Sequence, residues 1–522
     1  MAHTTRWDAA AGDAAVERLL AGEPAEAVLD PGAPDCWTAF DAAVRAYGRH
    51  TYGAAALEAR ARLRAVPETA LCHPDGRVRE AALADGPRTT AFWPLAVVRC
   101  TDWAEPVRAR ARALVAELLR SEPGRTLRLL TPLVLRLARR QEGAWARDLV
   151  LSALTASPAA AYRLLGPERD AATRRLAARV LTASGLPDPL ELARLASTEP
   201  DPMAARLFAD GALAGAETRG AAPAVPDAAQ PVPGAPGRVV GPGDAPRAGG
   251  GAEGRAVGAG VSPRRADRAD AVDLLLGARV PAVRSAGVTA LRRAERGGEA
   301  VAYLADRSGL VRACARWVVA QGGGDARART LALCADPAAH PWALVGLAEC
   351  GRREDAPLLR ALLAHPDAAV RARAVAGLRL LESVRVADVL PLLDDTGPGV
   401  AREAVRALLP YAGALPGERL LGRLDPRRPA PLRRAAFRLL RARGGLCELR
   451  AAVAVLDDPD TRLRRCGEAA VQGRRWLDEV PRRSPEVDAL VRRTGHLFSD
   501  YVMAVMRDRL GLPRITTDPT GG

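Results

Sequence analysis

The sequence has no lysine, no asparagine and a single isoleucine, Ile515, so all 76 of its strongly basic residues are arginine. This skew reads as codon pressure, and arginine must often stand where another protein carries lysine. Aromatic residues make up only 4% of the chain. The β-branched residues are mostly Val, and outside the Pro/Gly tracts Ala, Leu, Arg and Glu dominate, which are strong helix formers. The scarcity of strand-forming residues predicts an all-α protein.

Other absences narrow the function classes. The eight cysteines, at 36, 72, 100, 314, 334, 350, 447 and 466, stand singly, with no C-x-x-C pair and no histidine at zinc-finger spacing. That pattern speaks against a metal site or a disulfide framework and fits buried free thiols in a reducing compartment. No stretch reaches the roughly 18 uninterrupted apolar residues of a membrane span, and the N-terminus lacks a signal-like basic and apolar pair of regions, so a cytoplasmic location is expected. No G-x-S-x-G elbow, phosphate-binding loop or H-E-x-x-H occurs. The six histidines lie apart, and His73, His340 and His365 each precede proline, where a polar helix-entry residue is expected instead of a general base.

The chain does contain a repeat. The stretch HPDAAVRARAVAGLRLLES (365–383) carries an apolar frame of Val370, Val375 and Leu378. The frame recurs from Val283, Val311, Trp342, Val400, Leu432 and Leu463. In chain order these anchors are separated by 28, 31, 28, 30, 32 and 31 residues, which is one helix pair per unit. A looser series runs through Val78, Val107, Trp145, Thr173 and Met203; its one interval of 38 suggests a lengthened loop or a misplaced anchor. Asp75, Asp170, Asp367 and Asp460 lie three residues before their anchors. That is the N-cap position, where a carboxylate accepts from the free N–H groups of the first turn. Pro74, Pro366 and Pro459 end the preceding helix.

The unit Asp367-Ala-Ala-Val370-Arg371, followed by Ala374 and Leu378, resembles the second helix of the short bacterial HEAT-like repeat found in phycobilisome-lyase-type and scaffold proteins. Asp75/Val78/Arg79 and Asp460/Leu463/Arg464 are similar; the Leu432 copy lacks the aspartate. The resemblance covers about four fifths of the chain and implies a right-handed superhelical solenoid of helix pairs, without metal or organic cofactor. It implies no single function, because such arrays serve scaffolding, nucleic-acid binding and occasional catalysis. The expected organisation is an N-terminal array over 1–214, a Pro/Gly/Ala-rich disordered linker over 215–268, a C-terminal array over 269–486, and a helical cap and tail over 487–522. The cap gathers Phe498, Tyr501, Met503 and Met506. The linker has too few large apolar side chains to offset its chain entropy.

Two sets of arginines stand out. Those immediately after the anchor, such as Arg79, Arg284, Arg312, Arg371, Arg433 and Arg464, fall about 100° round the helix from it. They point into the packed side, where pairing with the cap aspartate of the same or the adjacent unit would form a structural ladder. The outward set is Arg402, Arg406, Arg434, Arg438, Arg441 and Arg465, which the HEAT resemblance places on the concave surface. Arg373, also outward, is expected to matter little for stability. Residues 269–522 carry 41 Arg against 30 acids, compared with 28 against 26 in residues 1–214. The basic bias therefore sits in the C-terminal half and favours an anionic partner. The expected function is a non-enzymatic scaffold or adaptor binding an acidic protein or peptide. The alternatives are nucleic-acid binding, including the glycosylase-like HEAT proteins to which outward Trp317 draws attention, and a helper subunit for a lyase-type modifying enzyme.

Overall fold

The computed structural model describes residues 7–513 except 31, 50–51, 86–87, 90, 167–168 and 215–262. Helices are its only regular structure among the described residues, long α-helices alternating with short α or 3₁₀ segments. The greater part of the expected linker lies outside the described residues; the helix Pro263–Leu276 begins within its last six. The chain divides into two compact units, 1–290 and 291–522.

In the first unit the helix Phe92–Arg99 packs on both Glu105–Ser121 and Pro123–Leu137, and Pro189–Thr198 packs on Pro202–Ala214 and on Pro263–Leu276. In the second unit successive anchor helices stack directly: Pro341–Cys350 on Ala368–Leu380, that on Pro398–Leu408, and that on Ala430–Arg443. In the second unit each of these contacts joins residues about one repeat apart, which is the architecture of a helical repeat. The helices Pro485–Arg493 and Asp500–Leu510 end the second unit. Their Val487, Val491, Met503, Met506 and Leu510 close a cluster around Trp476, Leu449 and Val453. Phe498 packs against this cluster, whereas Tyr501 faces solvent.

The repeat fixes a small residue four positions after the anchor. It is Ala111, Ala315, Gly346, Ala374, Ala404, Ala436 and Gly467 in the copies from Val107, Val311, Trp342, Val370, Val400, Leu432 and Leu463. Gly346 shows why: a Cβ there would lie 2.8 Å from the Leu304 carbonyl oxygen of the neighbouring helical segment. At Gly467 a Cβ would lie 2.7 Å from Val455 Cγ2 and 2.9 Å from the Ala452 carbonyl oxygen. The small side chain sets how closely the helices of a pair approach.

The caps form as the sequence predicts. Asp170 accepts from the backbone N–H of Ala172 and Thr173, Asp367 from Ala369, Asp460 from Arg462 and Asp75 from Arg77. The frame is misread at two places. Met203 is 60% exposed, and the apolar contacts of its helix come from Ala204, Ala205 and Phe208. The 38-residue interval before Trp145 is filled by helix, with Glu105–Ser121 and Pro123–Leu137 longer than most of their counterparts, so no loop is lengthened.

Three of the inward arginines form rungs, with a partner different from the expected one, whereas Arg312 pairs with Glu349 and Arg464 donates to the Asp458 carbonyl and to Thr461 Oγ1. Arg79 Nε and Nη2 donate to the two oxygens of Asp102 at 2.9 and 2.7 Å. Arg371 engages Asp395 in the same forked way at 2.7 Å on both branches, and Arg433 engages Asp458 at 2.8 and 2.7 Å. In each case the third nitrogen, Nη1, donates to carbonyls of the arginine's own entry turn, as Arg371 does to His365 and Pro366. The acid stands five residues before the next anchor, two before the cap position. Its other role is to hold the turn, as Asp102 accepts from the Ala104 N–H, Asp395 from Gly397 and Asp458 from Asp460. The cap aspartates accept from the first turns of their own helices, and of them Asp460 also meets an arginine, the outward Arg434 and not the inward one.

Candidate binding groove in the C-terminal unit

The entry turns explain the histidines first. His73 Nδ1 accepts from the Asp75 N–H and His365 Nδ1 from the Asp367 N–H, the same service that the rung aspartates perform elsewhere. Burial pushes the His73 pKa down. Cysteine burial is uneven: Cys36, Cys72, Cys100 and Cys334 are buried, three are intermediate and Cys466 is exposed. Burial pushes the Cys36, Cys100 and Cys334 thiols up to about 12, which leaves them unreactive near neutrality.

Rungs and gaps alternate along the second unit. The Val370 copy has Arg371 and the Leu432 copy has Arg433 as the residue after the anchor, but the Trp342 and Val400 copies have Ala343 and Ala401. Where Ala343 stands, the next entry turn is held by His365, so no carboxylate stands five residues before that anchor. Where Ala401 stands, the next turn is held by Asp425, whose Oδ1 accepts from the Arg427 N–H, two residues further from its anchor than the rung acids. No arginine reaches across this junction from position 401.

At that missing rung an open groove of about 380 Å³ lies between Pro398–Leu408 and Ala430–Arg443. Ala401, Val405 and Ala435 form its floor together with Pro398 and Pro431; Arg402, Arg434 and Arg438 form its walls. Three of the six outward arginines are thus brought together. Arg402 and Arg438 are exposed and have no carboxylate partner among the described residues. Arg434 Nε lies 3.0 Å from Asp460 Oδ2.

The other three lie outside the groove. Arg406 is paired with Glu403 at 2.5 Å, Arg441 lies 3.7 Å from Glu448, and Arg465 is exposed on the next anchor helix. Glu448 itself is buried, and that burial raises its pKa against the opposing pull of Arg441 and Arg475. Neighbouring arginines are engaged: Arg423 and Arg428 with Asp394, Arg450 with Glu418 and Glu486.

Two further sites bear on function. Arg373, expected to be free in solvent, lies over the Trp342 ring at 3.6 Å from its centroid, with Arg312 on the same ring at 5.6 Å. Its pKa is lowered, chiefly by burial. Trp317 is 45% exposed and has Arg292 over its ring at 5.4 Å. In the first unit a wider cleft of about 840 Å³ lies between Ala9–Leu20 and Pro34–Ala46. Its polar lining is largely committed: Asp8 caps a helix, and Asp35 pairs with Arg136 at 2.7 Å.

These features define an all-helical repeat chain whose anchor helices carry an open basic groove at one junction. No family model and no curated protein matches the chain. Among solved structures, the chain is similar to an engineered protein whose crystal structure was determined by a structural genomics consortium. The two share 15% identity, with 78% of this chain and 98% of that one covered at a TM-score of 0.21. At that score the likeness defines neither repeat type nor hand.

Proposed function

We propose that the protein is a non-enzymatic scaffold or adaptor, a right-handed solenoid of HEAT-like helix pairs in two arrays, whose C-terminal array binds an acidic protein or peptide partner. The binding face is the arginine stripe of Arg402, Arg406, Arg434, Arg438, Arg441 and Arg465. The observation that carries this reading is the unspent charge on the stripe. Arg402, Arg438 and Arg465 face solvent without a carboxylate among the described residues, while arginines around them are tied into ion pairs. Exposed cations of one sign on adjacent helices attract an anionic surface and accelerate its encounter. The groove lining contains no aromatic residue, so it offers no platform for base stacking. That favours an acidic polypeptide over a single-stranded nucleic acid.

The test is titration of the full chain with poly-glutamate and, separately, with duplex DNA, each at about 50 and about 200 mM salt, since surface charge is screened over about 8–10 Å at these strengths. Poly-glutamate binding that weakens with salt and is lost in the Arg402→Glu/Arg438→Glu/Arg465→Glu variant supports the proposal. Binding of DNA alone replaces it with the nucleic-acid reading. Binding of neither refutes both.

A further inference from the structure

Comparison of the junctions within this one chain shows what the groove is made from. At the junctions from Val370 and Leu432, a forked arginine crosses to the carboxylate of the next entry turn. At the Val400 junction the corresponding residue is Ala401, and the space is open to solvent with an apolar floor. Two consequences follow from the missing side chain. The floor, made of Ala401, Val405 and Ala435, presents carbon where a rung would present a guanidinium–carboxylate pair. The walls keep three guanidinium groups, of which only Arg434 has a carboxylate partner among the described residues, Asp460.

We propose that the missing rung is a specific subsite for a short acidic segment of a partner protein, in which one small aliphatic side chain lies on the floor and flanking carboxylates are taken by Arg402, Arg434 and Arg438. This rests on the reading of the arginine stripe as an acidic-protein face and assigns the determinant within it. The chemistry is complementary on both counts. Guanidinium groups hold carboxylates in forked geometry, as the intact rungs of this protein already do. A floor of Ala, Val and Pro carbons rewards an aliphatic group and leaves a polar one without a hydrogen-bond partner.

The experiment uses the full chain and a fluorescein-labelled peptide with the core Asp-Glu-Val-Asp-Glu, read by fluorescence anisotropy at about 50 mM salt. A companion peptide has Ser for Val. The valine peptide should bind about fivefold more tightly than the serine peptide, the order expected for burying a few methyl groups. Ala401→Arg places a long side chain on the groove floor and should weaken the valine peptide about tenfold or more. Arg402→Glu/Arg438→Glu, at exposed positions that leave the core intact, should abolish binding, whereas Arg441→Glu/Arg465→Glu should change it less than about threefold; these factors correspond to losing or keeping a charge-assisted contact. If the two peptides bind equally, or if Arg441→Glu/Arg465→Glu abolishes binding while Ala401→Arg and Arg402→Glu/Arg438→Glu do not, the groove is not the determinant, although the stripe remains an acidic-protein face. If neither these peptides nor poly-glutamate binds the unsubstituted chain, the stripe reading falls with it.

Discussion

Asp102→Ala tests the rung chemistry where it is most concentrated. The Asp102 side chain is fully buried and accepts from Arg79 through two bonds, from Arg99 at 3.0 Å, from Arg45 at 3.3 Å and from the Ala104 N–H at 3.0 Å. Its removal leaves Arg79, itself fully buried, with no carboxylate, since its remaining bonds run to the His73 and Pro74 carbonyls. Arg99 keeps Asp41. Breaking a buried pair from one side costs about 3–5 kcal/mol, and losing the turn-holding bond adds about 1 kcal/mol. The expected destabilisation is therefore about 4–6 kcal/mol, read as a shift in the urea midpoint of the first unit by circular dichroism. Arg79→Leu/Asp102→Leu removes both charges and should recover most of that loss. A single-variant effect below about 1 kcal/mol, or a double variant as damaged as the sum of the singles, would refute the rung as an energetic unit.

Further outcomes follow from other sites. Burial alone would raise the pKa values of Asp41 and Asp102, but the arginines beside them hold both below the ordinary aspartate range. Their contribution to stability is therefore complete above the unfolded pKa of about 3.9 and is lost as pH falls through the lower folded values, so Asp102→Ala should remove much of the first unit's acid sensitivity in melting scans between about pH 5 and 2. Glu448 has the opposite sign: its raised pKa means that stability falls as pH rises through the folded value, and Glu448→Gln should raise the melting temperature at pH 7 while flattening that dependence. Arg371→Ala should cost about 3 kcal/mol through its half of a largely buried pair. Arg373→Ala should cost about 0.5–1 kcal/mol through the lost stack on Trp342; thermal melts of the two variants distinguish these values from the negligible effect expected of a solvent-facing arginine. Gly346→Ala should destabilise by about 1–3 kcal/mol, because its Cβ meets the Leu304 carbonyl and backbone must move.

The repeat, its anchors and its caps were legible in the sequence because each depends on residues a few positions apart on one helix. Asp367 needs only the first turn of its own helix to act as a cap. The inward direction of Arg371 also follows from helix geometry, but its partner Asp395 is 24 residues away across a junction. The cap aspartates recur beside the anchors and so offer themselves as partners. The acids five residues before the anchors, Asp102, Asp395 and Asp458, recur too, and each follows an inward arginine one repeat earlier, which is the signal that identifies the rung. Met203 was misplaced because small residues, Ala204 and Ala205, carry the buried face there, and alanine gives little hydrophobic contrast. Of the arginine stripe, the sequence showed the members but not their grouping. Arg402, Arg434 and Arg438 share a groove that Ala401 also lines, and a missing side chain announces itself only against the other copies.

Hydrogen exchange on the full chain with and without the Asp-Glu-Val-Asp-Glu peptide tests the central claim most directly. Binding across the missing rung should slow exchange in Pro398–Leu408 and Ala430–Arg443, leave Gly417–Leu421 and the first unit unchanged, and give no such protection in Ala401→Arg. Protection spread along the chain, confined to other helices, or undiminished in Ala401→Arg would contradict the account.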